Sequence, residues 1–99
     1  MKKRVWYFKN SQEVYTVLYE DDLFILVQND RTKKYSFGGK SDFGSFLGFP
    51  VGQSCLTCEE TIKRLNAFIK IDSKYLKSSP DIFGKQIERW QSMIKAIEA

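Results

Sequence analysis

The clearest structural signal in the chain is residues 14–37, VYTVLYEDDLFILVQNDRTKKYSF. The stretch contains three runs of β-branched, aromatic and aliphatic side chains, which are typical of strands. These predicted strands are Glu13–Glu20, Leu23–Gln28 and Lys33–Phe37. Polar turns at Asp21-Asp22 and at 29–32 separate them. Because connections of two to four residues join antiparallel neighbours, the pattern predicts successive β-hairpins.

A fourth predicted strand precedes this stretch, at Arg4–Lys9, and Asn10-Ser11 supplies the turn that follows it. The three longer predicted strands, 4–9, 13–20 and 23–28, are apolar on both faces, so we expect both faces of the sheet to be covered. Tyr35 and Phe37 are predicted to lie on one face of the last strand, with Lys34 and Ser36 on the other.

Two helices are predicted after the strands. Thr57-Cys58-Glu59-Glu60 is a capping box, and it opens a helix of about 58–71. Ser79 is the expected N-cap of a second helix, about 80–97, with Pro80 at its first position. Apolar residues at alternating spacings of four and three predict the packed face of that helix: Phe83, Ile87, Trp90, Ile94 and Ile97. Gly84 lowers helix propensity, which predicts a close packing contact there.

The predicted fold class is therefore α+β: a four-stranded antiparallel β-meander followed by two C-terminal α-helices packed on the sheet. The meander covers about 4–37, and a Gly/Phe-rich loop covers 38–56. Five of the six glycines fall in that loop. With 99 residues, the chain is expected to form a single domain, 1–99.

Composition argues against catalysis. The chain has no histidine, which removes the histidine-dependent nucleophile systems and imidazole metal sites. The net charge of +4 is divided evenly between the two halves, which favours a mixed solvated surface over a nucleic-acid footprint. The sequence thus predicts a protein that is not an enzyme and uses no cofactor. Without a membrane span or signal peptide, the expected compartment is the cytoplasm.

Two short motifs resemble a phosphate-binding loop and a redox or zinc site, but each lacks the other residues that such a site requires. Gly39-Lys40-Ser41 follows a strand, but Lys34 stands where a P-loop requires its first glycine. Cys55 and Cys58 form a C-x-x-C without a second pair or a histidine. Glu59 and Glu60 would oppose a thiolate there, so we interpret these cysteines as structural or incidental.

Without a catalytic constellation, the function is expected to reside in a surface. Aromatic side chains are concentrated in the strands and the following loop, and interfaces are commonly anchored by such residues. The predicted partner interface combines the first long hairpin with neighbouring acidic and loop residues: Tyr15, Tyr19, Glu20, Asp21, Asp22, Asp30, Asp42, Phe43 and Phe46. Charge reversal at Asp21 and Asp22 is expected to weaken partner binding and leave thermal unfolding nearly unchanged.

In its size, its β-then-α order and its Tyr- and Phe-rich strands with an acidic turn at 20–22, the chain resembles small bacterial immunity proteins of the contact-dependent growth inhibition (toxin–immunity) type. The resemblance implies a cytosolic inhibitor that binds one cognate toxin domain at 1:1, possible targets including a nuclease. Two alternatives stay open. One is a small single-stranded nucleic-acid-binding domain that uses sheet aromatics. The other is a phage or plasmid accessory inhibitor of a host complex.

Overall fold

Strands precede helices in the computed structural model, which describes residues 5–7, 14–39 and 56–99. The strands are β1 (Val5–Tyr7), β2 (Val14–Glu20), β3 (Phe24–Asn29) and β4 (Tyr35–Gly39). The helices are α1 (Cys58–Lys74) and α2 (Pro80–Glu98). The chain divides into two compact units, residues 1–61 and 62–99, with the division inside α1.

The strands lie side by side in chain order and every neighbouring pair is antiparallel. The predicted α+β class, an antiparallel sheet followed by two C-terminal helices, is confirmed. β2, β3 and β4 form the part of the sheet whose side chains are described. β1 is seen as three residues whose backbone pairs with Val14–Thr16, and the rest of the predicted strand 4–9 lies outside the described residues. β3 and β4 begin one and two residues later than predicted.

An irregularity in β2 changes which side chains share a face. Val17 pairs with Val27, but the next pair joins Tyr19 to Leu26, so Leu18 is the extra residue of a β-bulge. Directly opposed residues of an antiparallel pair lie on the same face. Tyr19 is therefore moved to the face of Leu26, opposite to the face of Val17.

Both faces of the sheet are buried at β3, as expected from its continuous apolar sequence. Ile25, Leu26 and Val27 are each 0% exposed, although consecutive strand residues point to opposite faces. Ile25 and Val27 pack with Val17 in one cluster. Leu26 lies opposite Phe37, which is also buried. The predicted side of Phe37 and Tyr35 is confirmed by this register, but Ser36 on the other face is buried as well.

The start of α1 is joined to β4 by backbone hydrogen bonds. Tyr35 and Leu56 each donate an N–H to the other's carbonyl, at 2.7 and 2.9 Å. The predicted capping box follows directly: Glu60 N–H donates to Thr57 Oγ1 at 3.1 Å, and Thr57 N–H donates to Glu60 Oε1 at 2.9 Å. Thr61 is fully buried and its hydroxyl donates to the Thr57 carbonyl. The helix entry is thus fixed by paired backbone groups.

Tyr35 also gives this junction a pH dependence. Burial raises the pKa of Tyr35 above its ordinary value of 10.0, and the adjacent Cys58 thiol raises the pKa further. Above pH 10 the unfolded chain loses this proton before the folded chain does, so the free energy of unfolding falls as pH rises. We expect Tyr35→Phe to reduce this alkaline loss of stability in urea titrations at several pH values. An identical alkaline slope for Tyr35→Phe and the unmodified protein would contradict the assignment.

In the second unit, α1 and α2 are joined by an aromatic and polar contact. The rings of Phe68 and Trp90 lie 5.3 Å apart. Trp90 Nε1–H donates to Asp72 Oδ2 at 2.8 Å, and both residues are buried. The buried carboxylate thus has a partner that satisfies part of its hydrogen-bonding capacity. α1 ends at Lys74, three residues beyond its predicted end, and Asp72 therefore lies within it.

The start of α2 differs from prediction in two details. Ser79 is the N-cap residue and Pro80 the first helical residue, as predicted, but the Ser79 side chain makes no capping hydrogen bond. The close packing contact predicted at Gly84 is not found among the described residues. The nearest of their atoms to a Cβ built there is Leu76 Cδ1, at 3.9 Å, which is ordinary van der Waals contact.

Gly84→Ala is therefore expected to stabilise the protein. The added methyl group meets no close contact among the described residues, and alanine gains about 1 kcal/mol of helix propensity over glycine. Thermal and urea unfolding measure the change, with Ser92→Ala, at an exposed position of the same helix, as the matched control. A lower unfolding midpoint for Gly84→Ala than for the unmodified protein would show that this position requires a residue without a Cβ atom.

Candidate interaction surface

The β2–β3 turn is organised by one carboxylate. Asp21 Oδ1 accepts the N–H groups of Leu23 and Phe24, both at 2.8 Å, and Asp21 Oδ2 accepts the Tyr19 hydroxyl at 2.6 Å. The Asp21 N–H donates to the Phe24 carbonyl at 3.0 Å. These four bonds make an Asx turn held at both carboxylate oxygens. Asp21 is therefore a structural residue of the turn, and the expectation that its charge reversal leaves unfolding unchanged does not fit this geometry.

The tip of the same turn presents an apolar side chain beside acidic ones. Leu23 is 61% exposed and directly follows the exposed Asp22. Glu20, at the end of β2, is half-buried and pairs with Ile25 in the sheet. We define the hairpin tip as Glu20, Asp22 and Leu23 on the Asp21 turn. Its chemistry suits a partner surface with a small apolar depression and positive charge around it.

The two tyrosines of the predicted interface are on opposite faces of the sheet. Tyr15 lies opposite Asn29 and packs against the Val17, Ile25 and Val27 cluster. Tyr19 is beyond the bulge, on the other face, and its hydroxyl holds the turn. The structure therefore keeps Tyr19 with the hairpin tip and separates Tyr15 from it.

Asp30 lies at the other end of β3 from the hairpin tip. The six residues of β3 span roughly 20 Å, so Asp30 does not join Glu20 and Asp22 in one acidic patch. Its carboxylate accepts the Thr16 hydroxyl at 2.7 Å. Three of the four exposed residues that follow Asp30 are basic: Arg31, Lys33 and Lys34. The sheet thus has an acidic turn at one end of β3 and a largely basic turn at the other.

Asp42, Phe43 and Phe46, the remaining residues of the predicted interface, lie outside the described residues. Leu23 is not among the predicted interface residues, because its apolar side chain and the apolar run after it favour a place in the buried strand that follows. Its position immediately after Asp21-Asp22 was the available signal, since a residue that close to a two-residue polar turn belongs to the turn more readily than to the strand core.

The described residues contain no candidate metal site. Within residues 14–39 and 56–99, no three His, Cys, Asp or Glu side chains lie together in a way that could hold a metal ion. None of the described helices is both long enough and apolar enough to cross a membrane. Comparison with protein-family models, curated proteins and solved structures finds no match for this chain.

Proposed function

We propose that this chain is a non-enzymatic protein-binding inhibitor, a cytosolic bacterial immunity protein that binds one cognate toxin domain at 1:1 and blocks it. The observation that carries the proposal is the hairpin tip: a 61% exposed leucine that directly follows acidic residues, on a turn held by four hydrogen bonds. The proposed architecture is the full four-stranded meander followed by the two helices.

Rigidity is the reason to favour a recognition role for this tip. An exposed apolar side chain on a mobile turn would lose conformational entropy on binding, whereas a preorganised turn has already lost most of it. Asp21 and the Tyr19 hydroxyl supply that order through the Leu23 backbone N–H and without using the side chains of Leu23 or Asp22. The tip can therefore present an apolar anchor and a negative charge together, which fits a basic active-site rim such as that of a nuclease.

Burial of two described sheet aromatics, Tyr35 and Phe37, favours a protein partner over single-stranded nucleic acid. Base stacking requires open aromatic faces. Tyr35 and Phe37 are buried, and Tyr15 packs against the apolar cluster. An inhibitor of a host complex would use the same surface, so the identity of the partner separates it from an immunity protein.

The test is affinity purification of the tagged chain from its native host, followed by titration calorimetry with the protein recovered. We expect one protein at 1:1, with Leu23→Ser and Asp22→Lys each lowering the affinity about tenfold or more, because both remove contacts at the centre of the interface. Glu98→Lys reverses an exposed charge at the far end of α2 and is expected to change the affinity less than about twofold.

Three results would overturn the proposal. Recovery of nucleic acid alone, with affinity falling steeply as salt rises, would assign the chain to the nucleic-acid-binding class. Equal affinity of Leu23→Ser, Asp22→Lys and the unmodified protein would remove the hairpin tip from the interface. If the partner binds through the tip but is not toxic to cells lacking this chain, the inhibitor would belong to the host-complex class.

A further inference from the structure

A second exposed apolar surface lies where α1 connects to α2. Its four side chains are between 36% and 61% exposed. We name it the apical patch: Ile71, Tyr75, Leu76 and Ile82. None of these residues belongs to the hairpin tip, and all four lie in the second compact unit.

Local contacts bring these residues to one end of the helix pair. The Tyr75 ring packs on Phe83, the neighbour of Ile82, with centroids 5.7 Å apart. Leu76 lies beside the backbone of Gly84. Ile71 is one helical turn before Tyr75, and residues four apart are neighbours on a helix surface. The connecting turn is held by backbone bonds, including Tyr75 N–H to the Asp72 carbonyl at 3.1 Å and Ser78 N–H to the Tyr75 carbonyl at 3.0 Å. The patch is therefore ordered before any partner arrives.

The charges around the apical patch are mostly positive. Residues 70–85 contain four lysines and two aspartates. All four lysines are exposed: Lys70, Lys74, Lys77 and Lys85. Asp72, in contrast, is buried and accepts the Trp90 indole N–H. Only Asp81 presents an exposed carboxylate within this segment. The apical patch is therefore an exposed apolar surface whose charged neighbours in the segment are mostly lysines.

We propose that the apical patch is a docking surface for an acidic amphipathic segment of a second protein. The apolar side chains of such a segment would cover Ile71, Tyr75 and Ile82, and its carboxylates would face the lysines. The lysines of the apical patch favour a negatively charged partner, whereas the acidic side chains of the hairpin tip favour a positively charged one. Charge complementarity therefore assigns different partners to the two surfaces. Tyr75 is the expected anchor, because Phe83 already holds its ring in place.

The test uses a synthetic amphipathic helical peptide with glutamates on its polar face, measured by fluorescence anisotropy against the purified full chain. A peptide with glutamine at the same positions is the ligand control. We expect the acidic peptide to bind about tenfold more tightly, with weaker binding as salt is raised. Amide chemical-shift changes are expected within residues 70–85.

The double substitution Lys70→Glu/Lys77→Glu is expected to lower the affinity for the acidic peptide about tenfold. Ile71→Ser/Ile82→Ser is expected to lower it by a similar factor. The matched control, Lys63→Glu/Arg64→Glu, makes the same charge change at exposed positions near the start of α1 and should shift the dissociation constant less than about twofold. Thermal unfolding verifies that each variant is folded.

Three outcomes would overturn this proposal. One is equal binding by the patch variants and the control. Another is binding only to vesicles of phosphatidylcholine and phosphatidylserine in a roughly 7:3 ratio, which would assign a lipid surface. The third is concentration-dependent self-association that Ile71→Ser/Ile82→Ser abolishes, which would assign a second copy of this chain. Each result is independent of the hairpin tip and of the partner proposed for it.

Discussion

Replacing either of two adjacent residues of β3 by alanine should destabilise the protein by about 2–5 kcal/mol, although the two side chains point to opposite faces of the sheet. The residues are Ile25 and Leu26, both fully buried. Ile25 belongs to the cluster with Val17 and Val27, whereas Leu26 lies opposite Phe37. Each substitution removes apolar contacts and leaves a cavity, so the cost on both faces exceeds the transfer free energy alone.

Urea unfolding of Ile25→Ala and Leu26→Ala measures this directly, with Leu23→Ala as the control. Leu23 is two residues from Ile25 but mostly exposed, and its truncation should change the free energy of unfolding by less than about 0.5 kcal/mol. A large loss for one of the buried residues and none for the other would mean that only one face of the sheet is covered. That result would contradict the burial of β3 and identify an open face.

Local sequence rules predicted most of the secondary structure because the signals are themselves local. The capping box at 57–60 forms because its two side chains reach the backbone groups that the first helical turn leaves unpaired. Likewise, the continuous apolar run in β3 can be stable only when both faces are covered. The end of α1 was less predictable, since Asp72 is a weak helix former. The bond from Trp90, 18 residues later, ties it to α2, and no local pattern reports that contact.

The candidate site was harder to predict because its geometry depends on register. Tyr15 and Tyr19 are four residues apart, which in a regular strand places them on one face. The bulge at Leu18 reverses that relation, and it is set by how β2 pairs with β3 and not by the residues of β2 alone. The acidic residues were predicted as one group from their sequence proximity. The length of β3, however, places Asp30 beside basic neighbours.

Asp21→Ala is expected to cost about 2 kcal/mol of stability, the second large effect. The substitution removes the acceptor of two backbone N–H groups and of the Tyr19 hydroxyl. Hydrogen bonds to a charged group contribute about 1.5–3 kcal/mol each when buried, and water can replace part of that here because the turn is half-exposed. Asp21→Asn keeps an oxygen for the two N–H groups and should therefore cost less than about 1 kcal/mol.

Comparison with Asp22→Ala separates the two roles of the acidic turn. Asp22 is exposed, and its truncation should leave the unfolding midpoint almost unchanged while it weakens partner binding. Asp21→Ala should lower both stability and affinity, because a disordered turn no longer presents Leu23 in one orientation. If Asp21→Ala instead unfolds like the unmodified protein, the Asx turn does not organise the tip. Preorganisation would then no longer support a recognition role for Leu23, and the exposed leucine would have to be explained by flexibility.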